Sequence, residues 1–157
     1  MGGVNGAEAL KALYALQEKD LEIDRLRAEA ESLPEELVAL QGQVETLEER
    51  LTNLLERRAE LEREYNRHSL DIEDLSAKEK QAEEEQKRAQ SAREQTQYEN
   101  RIQQIKDRIR ELLELSTPIM EAMENLEAEI AQVEEELAAL RPRLQELLEA
   151  NRARVAE

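Results

Sequence analysis

Apolar side chains recur along this chain in steps of three and four, and they do so in two separate runs. The first passes through Leu33, Leu37, Leu40, Val44, Leu47, Leu51 and Leu54, then Leu61, Tyr65, Ile72 and Leu75. The second passes through Tyr98, Ile102, Ile105, Ile109 and Leu112, then Ile119, Met123, Leu126, Ile130, Val133, Leu137, Leu140, Leu144 and Leu147. Such steps keep every member on one stripe of a helix. A strict heptad held over many turns predicts a left-handed coiled coil, not a compact globule.

Writing the heptads out gives the first arm Leu33, Leu40, Leu47, Leu54, Leu61, His68 and Leu75 at d, and Leu37, Val44, Leu51, Arg58, Tyr65 and Ile72 at a. The second arm has Ile102, Ile109, Ser116, Met123, Ile130, Leu137 and Leu144 at a, with Ile105, Leu112, Ile119, Leu126, Val133, Leu140 and Leu147 at d. An antiparallel pairing sets an a of one arm beside a d of the other. One register does so throughout: Leu37 with Leu147, Leu40 with Leu144, Val44 with Leu140, Leu51 with Val133, Ile72 with Leu112 and Leu75 with Ile109. That register also brings the two polar interruptions, His68 and Ser116, into one layer. Sliding by a heptad would set His68 on Met123 and Ser116 on Leu75, leaving both polar groups unpaired at roughly 1–3 kcal/mol each.

The pattern therefore predicts an all-α fold, a long antiparallel coiled-coil helical hairpin preceded by a short extra N-terminal helix. Its turn is expected near Gln90–Glu94, a connection of ordinary length between antiparallel helices. Neither Gly nor Pro marks that turn. The competing arrangement is one continuous helix that dimerises in parallel. Toward the tip the core thins to Glu79, Ala82, Gln86 and Ala89.

Prolines set the expected boundaries. Ser32-Leu-Pro34-Glu35 carries the marks of a helix start, with Ser32 as N-cap, Pro34 in the first turn and Glu35 completing a capping box. The division expected is a flexible tail over residues 1–6, an N-terminal helix over 7–31 and the hairpin over 32–157. Pro118 and Pro142 lie inside heptads that keep phase across them, so they are expected to kink the second arm without ending it. The N-terminal helix bears its own apolar stripe, Leu10, Leu13, Leu16, Ile23 and Leu26. Three fates fit it: folding back on the base of the hairpin, meeting another chain, or packing on a further segment.

Composition narrows the functions. The 157 residues include no Phe, no Trp, no Cys and only three Tyr, while charged residues make up 38% of the chain. That is the make-up of long helices rather than of a mixed aromatic core. A coiled coil without a pocket, a nucleophile elbow or a Gly-rich phosphate loop predicts a non-enzyme with no small-molecule substrate. The lone His68 follows Glu64 by one helical turn, yet metal sites in helical bundles need several carboxylates and His residues converging, so it reads as a core polar residue and no cofactor is expected in this chain. No run of eighteen apolar residues occurs and the start lacks a signal-peptide pattern, so no membrane contact is expected and the cytoplasm is the expected compartment.

Net charge is −16, which disfavours phosphate binding by the surface at large. The charge is unevenly spread. Residues 120–140 hold Glu121, Glu124, Glu127, Glu129, Glu134, Glu135 and Glu136 and no base, whereas residues 78–110 hold nine bases against seven acids. Lys87, Arg88, Arg93, Arg101, Lys106 and Arg108 thus form a candidate contact for an acidic partner, nucleic acid included, at the hairpin tip. Ordinary ion pairing that aligns the arms explains the same residues, and no aromatic platform accompanies them.

The stretch Leu13-Tyr-Ala-Leu-Gln-Glu-Lys-Asp20-Leu-Glu-Ile-Asp24-Arg-Leu26, followed by Ser32-Leu-Pro34-Glu-Glu-Leu37, resembles a bacterial family that joins a coiled-coil hairpin to a C-terminal four-cysteine zinc ribbon. Gln97-Tyr98-Glu99-Asn100 looks like a drifted version of the Glu-Tyr element that this family carries just past its hairpin tip. The resemblance spans nearly the whole chain. Members are regarded as candidate nucleic-acid-binding proteins, some tied to flagellar gene expression. It implies zinc only in a ribbon beyond Glu157, because this chain has no Cys to hold the metal. The expected function is a non-enzymatic adaptor that binds a protein or nucleic-acid partner. The alternatives are a purely structural rod that homodimerises through its N-terminal stripe, and a chaperone-like or transcription-associated hairpin. That last reading wants paired acids at the tip, where only Glu94 stands.

Overall fold

The computed structural model describes residues 2–156, with side chains from residue 6 onward. Two helices account for nearly all of them: α1, Gly2–Lys87, and α2, Ala92–Ala156. They pack against each other as an antiparallel hairpin, so the fold is all-α as the heptads predict.

The contacts divide the chain into two compact units. The first joins Met1–Glu48 to Glu135–Glu157. Its core is a cluster of Leu37, Leu40 and Leu147, with Leu33, Leu140, Leu144 and Leu148 packed around it. Val44 and Leu137 are buried as well. All but Leu148 are a and d residues of the predicted register, with Leu37 beside Leu147 and Leu40 beside Leu144. Glu36–Arg143 at 3.9 Å and Glu48–Arg141 at 3.5 Å join the two helices across the surface.

The second unit is Glu49–Glu134. Leu61, Ala82, Ile102, Ile105, Leu112, Ile119, Ile130 and Val133 are buried in it. Ser116 is the one buried polar residue among those described, and its hydroxyl lies 3.4 Å from His68 Nδ1. The predicted polar layer therefore forms. The Ser116 hydroxyl proton is already given to the Leu112 carbonyl at 2.7 Å. Its oxygen can then only accept, so the contact requires the proton on Nδ1 of His68.

The chain reverses over residues 88–91, slightly ahead of the expected position. Arg88 N donates to Glu85 O at 3.0 Å and Ala89 N to Gln86 O at 3.1 Å, tightening the last turn of α1 so that two of its orphan carbonyls are used. Ser91 then caps α2: Glu94 N donates to Ser91 Oγ at 3.1 Å, and the Glu94 carboxylate accepts from Gln90 N at 3.2 Å. This reciprocal pair is a capping box, shifted by one residue on the return leg. Gln86 bridges the turn by donating its side-chain amide to Gln95 O at 3.3 Å. Ser91→Ala should lower stability by about 1 kcal/mol. Urea unfolding followed by helical circular dichroism measures it, and an unchanged midpoint would contradict the cap.

The helix start expected at Ser32 does not occur. α1 runs unbroken through Pro34, so residues 7–31 are the first part of α1 and not a separate helix. The Ser32 hydroxyl donates backward to Glu29 O at 2.9 Å instead of accepting from the Glu35 amide. An interior proline removes one hydrogen bond and crowds the preceding carbonyl, at about 3 kcal/mol. What outweighs this is continuity: the neighbours are strong helix formers, and Leu33 and Leu37 reach the Leu147 cluster only if the stripe stays in phase. α2 is likewise helical through Pro118 and Pro142. Of the tail expected over residues 1–6, Met1 and the side chains of residues 2–5 lie outside the described residues, and the backbone is helical from Gly2.

Candidate interaction surfaces

Three features survive folding as places where something else can bind: the start of α1, the tip, and a groove in the first unit.

The apolar stripe at the start of α1 does not fold back. Leu10, Leu13, Leu16, Ile23 and Leu26 are 57%, 52%, 57%, 46% and 52% exposed. Tyr14 and Leu21 beside them are also exposed. Folding back required a reversal near Pro34, and α1 makes none. Of the fates expected for this stripe, folding back is the one that α1 excludes.

The tip bases are split. Lys87 pairs with Glu84 at 3.3 Å within the last turns of α1, and Arg108 with Glu111 at 3.0 Å within α2. Lys106 crosses to Glu79 of α1 at 3.8 Å, over a carboxylate whose side chain is only 21% exposed. Arg88, Arg93 and Arg101 are exposed and make no ion pair among the described residues. Lys106 also lines a cleft with Glu83, Gln86, Glu99, Asn100 and Gln103. A phosphate entering there meets two carboxylates beside one ammonium. Half of the six bases thus sit in ion pairs, and one of them, Lys106, joins the two arms. Tyr98, carrying the Glu-Tyr likeness, sits half-buried early in α2.

Comparison of the chain with family models, curated proteins and solved structures finds no match. The surfaces must therefore be read by their own chemistry.

No group of three or more His, Cys, Asp or Glu side chains is gathered so as to hold a metal among the described residues, and no helix there is long and apolar enough to cross a membrane. Two features escape a residue-by-residue reading of the chain. The Lys106–Glu79 bridge depends on the pairing of the arms. So does the groove formed by Gly42, Gln43, Thr46 and Leu47 of α1 with Glu136, Ala139 and Leu140 of α2. The local signature that was available is Ser91-Ala-Arg-Glu94, which fixes the turn.

Proposed function

We propose that this chain is a non-enzymatic adaptor, a helical hairpin that holds a macromolecular partner along the start of α1. The observation that carries this is the exposed run Leu10, Leu13, Leu16, Ile23 and Leu26 on a helix that continues directly into the packed hairpin. Apolar side chains in such a continuous run are costly to leave in water, each worth roughly 1.5–3 kcal/mol when fully buried, and larger patches of this kind mark interaction sites. Resemblance to the hairpin and zinc-ribbon family supports the same reading. On this view nucleic-acid contact belongs with a ribbon, because the hairpin tip interleaves its bases with carboxylates and the chain carries −16.

The second reading is a structural protein that self-associates through the same stripe, and one variant tests both. Changing Leu13, Leu16, Ile23 and Leu26 together to Glu leaves the packed core untouched. The parent chain is expected either to scatter light with a mass above the monomer, which the variant loses, or to cross-link to a partner in its source cells that the variant fails to capture. The first outcome assigns the stripe to a second copy, the second to the adaptor. Monomer mass for both chains, with no partner lost, would remove the proposal.

A further inference from the structure

The groove in the first unit is a second and independent surface. Its volume is about 640 Å³, within the range of about 300–1,000 Å³ typical of ligand clefts. Leu47 and Leu140 form its floor and remain half-buried, unlike their neighbours Val44 and Leu137. The reason is what stands beside them. Gly42, Thr46 and Ala139 are too short to cover two leucines. By heptad position Gln43 and Glu136 flank this side, while Glu48 and Arg141 flank the other and join across it at 3.5 Å. One face is thus closed by an ion pair, and the other stands open. The Glu36–Arg143 pair bounds the open face at one end.

Gly42 has no role in the packing of α1 on α2. A Cβ built there meets nothing within 4 Å, and its backbone is ordinary helix. Glycine inside a helix weakens it, so the fold alone gives no reason for this residue. It leaves this wall of the groove low. The charge around the groove says what kind of occupant it suits. Glu136 lines it and makes no ion pair among the described residues. Arg143 is shared by two carboxylates, Glu146 at 3.3 Å and Glu36 at 3.9 Å, so negative charge is in surplus at that end.

We infer that this groove seats an amphipathic helix of a partner protein, its apolar ridge on Leu47 and Leu140 and its Lys or Arg flanks against Glu136 and the carboxylates that share Arg143. Helix-in-groove recognition uses an i, i+3 or i+4, i+7 ridge of this sort. A third helix there would complete the burial of two core leucines that the hairpin leaves half-finished.

The probe is a fluorescent peptide of about 18 residues built from Leu and Lys at helical spacing, with a Leu and Glu peptide of the same pattern as its counterpart. Anisotropy is read on the full chain at about 0.15 M salt, where surface attraction is largely screened. The Leu–Lys peptide should bind saturably. Gly42→Gln and Ala139→Gln, which fill the groove from either wall, should each weaken it by about tenfold or more, and their thermal midpoints should stay level or rise because both side chains enter open space. Glu136→Lys should weaken it too. Unaltered affinity in the two filled variants, equal binding of the Leu–Glu peptide, or no saturable binding at all would overturn the inference. A parent chain that is dimeric and becomes monomeric on Gly42→Gln would assign the groove to a second copy, which also overturns it. None of these variants touches the start of α1, so the two surfaces fail or stand separately.

Discussion

Leu137→Ala should destabilise the protein by about 3 kcal/mol, within the range of roughly 2–5 kcal/mol for emptying a buried leucine site. Leu137 is 0% exposed, the most completely buried side chain described. The register sets it opposite Leu47 within the first unit. Truncation removes its methyl groups from the core and leaves a cavity between two helices that have no third layer to collapse into it. The same change at Leu70 or Leu115, which are 61% and 52% exposed, should move stability by no more than about 0.5 kcal/mol. Chemical denaturation followed by far-UV circular dichroism compares the three. A loss at Leu137 no larger than at Leu70 would mean that the helices do not meet along this stripe.

Replacing His68 and Ser116 together by Leu should do the opposite, raising stability by about 3 kcal/mol, since each newly buried Leu contributes roughly 1.5–3 kcal/mol and part is lost to imperfect packing. The gain should come with a loss of definition. In the native chain the His68 ring donates from Nδ1 to a hydroxyl whose own proton is committed to Leu112. A slip of one heptad breaks that contact and strands both groups among apolar side chains. With Leu at both sites nothing penalises the slip beyond the apolar pairs themselves. Buried polar residues at a core position fix register at a cost in stability in other coiled coils. Spin labels at Leu70 and Leu115, exposed residues on facing helices of the second unit, report it. A heptad shift moves one label by about 10 Å along the axis. The parent should give one narrow distance distribution and the double variant a broader or second one. A double variant that melts below the parent would show that the polar layer stabilises rather than specifies.

These two experiments probe the part of the fold that is legible in the sequence. Heptad spacing names the a and d residues, and every fully buried residue described is one of them. His68 and Ser116 select the register because polar groups must find one another, and they do so at 3.4 Å. Capping chemistry is less decisive. Ser-x-x-Glu occurs at Ser32–Glu35 and again at Ser91–Glu94, and only the second is a helix start. Locally the first looks better, since it has the proline. The difference is not local. At residue 32 the apolar stripe is in phase on both sides, and continuing it brings Leu33 and Leu37 to Leu147. At residue 91 the two stripes can meet only if the chain reverses. The tip is similar. Pairs three residues apart, such as Lys87 with Glu84, follow from spacing, whereas Lys106 with Glu79 exists only once the arms are aligned. The groove at Gly42 was illegible for the same reason. A glycine, a threonine and an alanine from two distant segments become one opening only after pairing.

The turn over residues 88–91 contains no glycine, and no described residue has a positive φ. Its chemistry therefore does not tie it to one place. What ties it is that every pair of the hairpin straddles it. A seven-residue deletion in α1 would throw all pairs beyond it out of step, unless α2 lost seven residues at the mirrored position. Length changes in descendants of this chain should thus arrive as reflected twins, one on each side of the bend, with the His68–Ser116 rung keeping count.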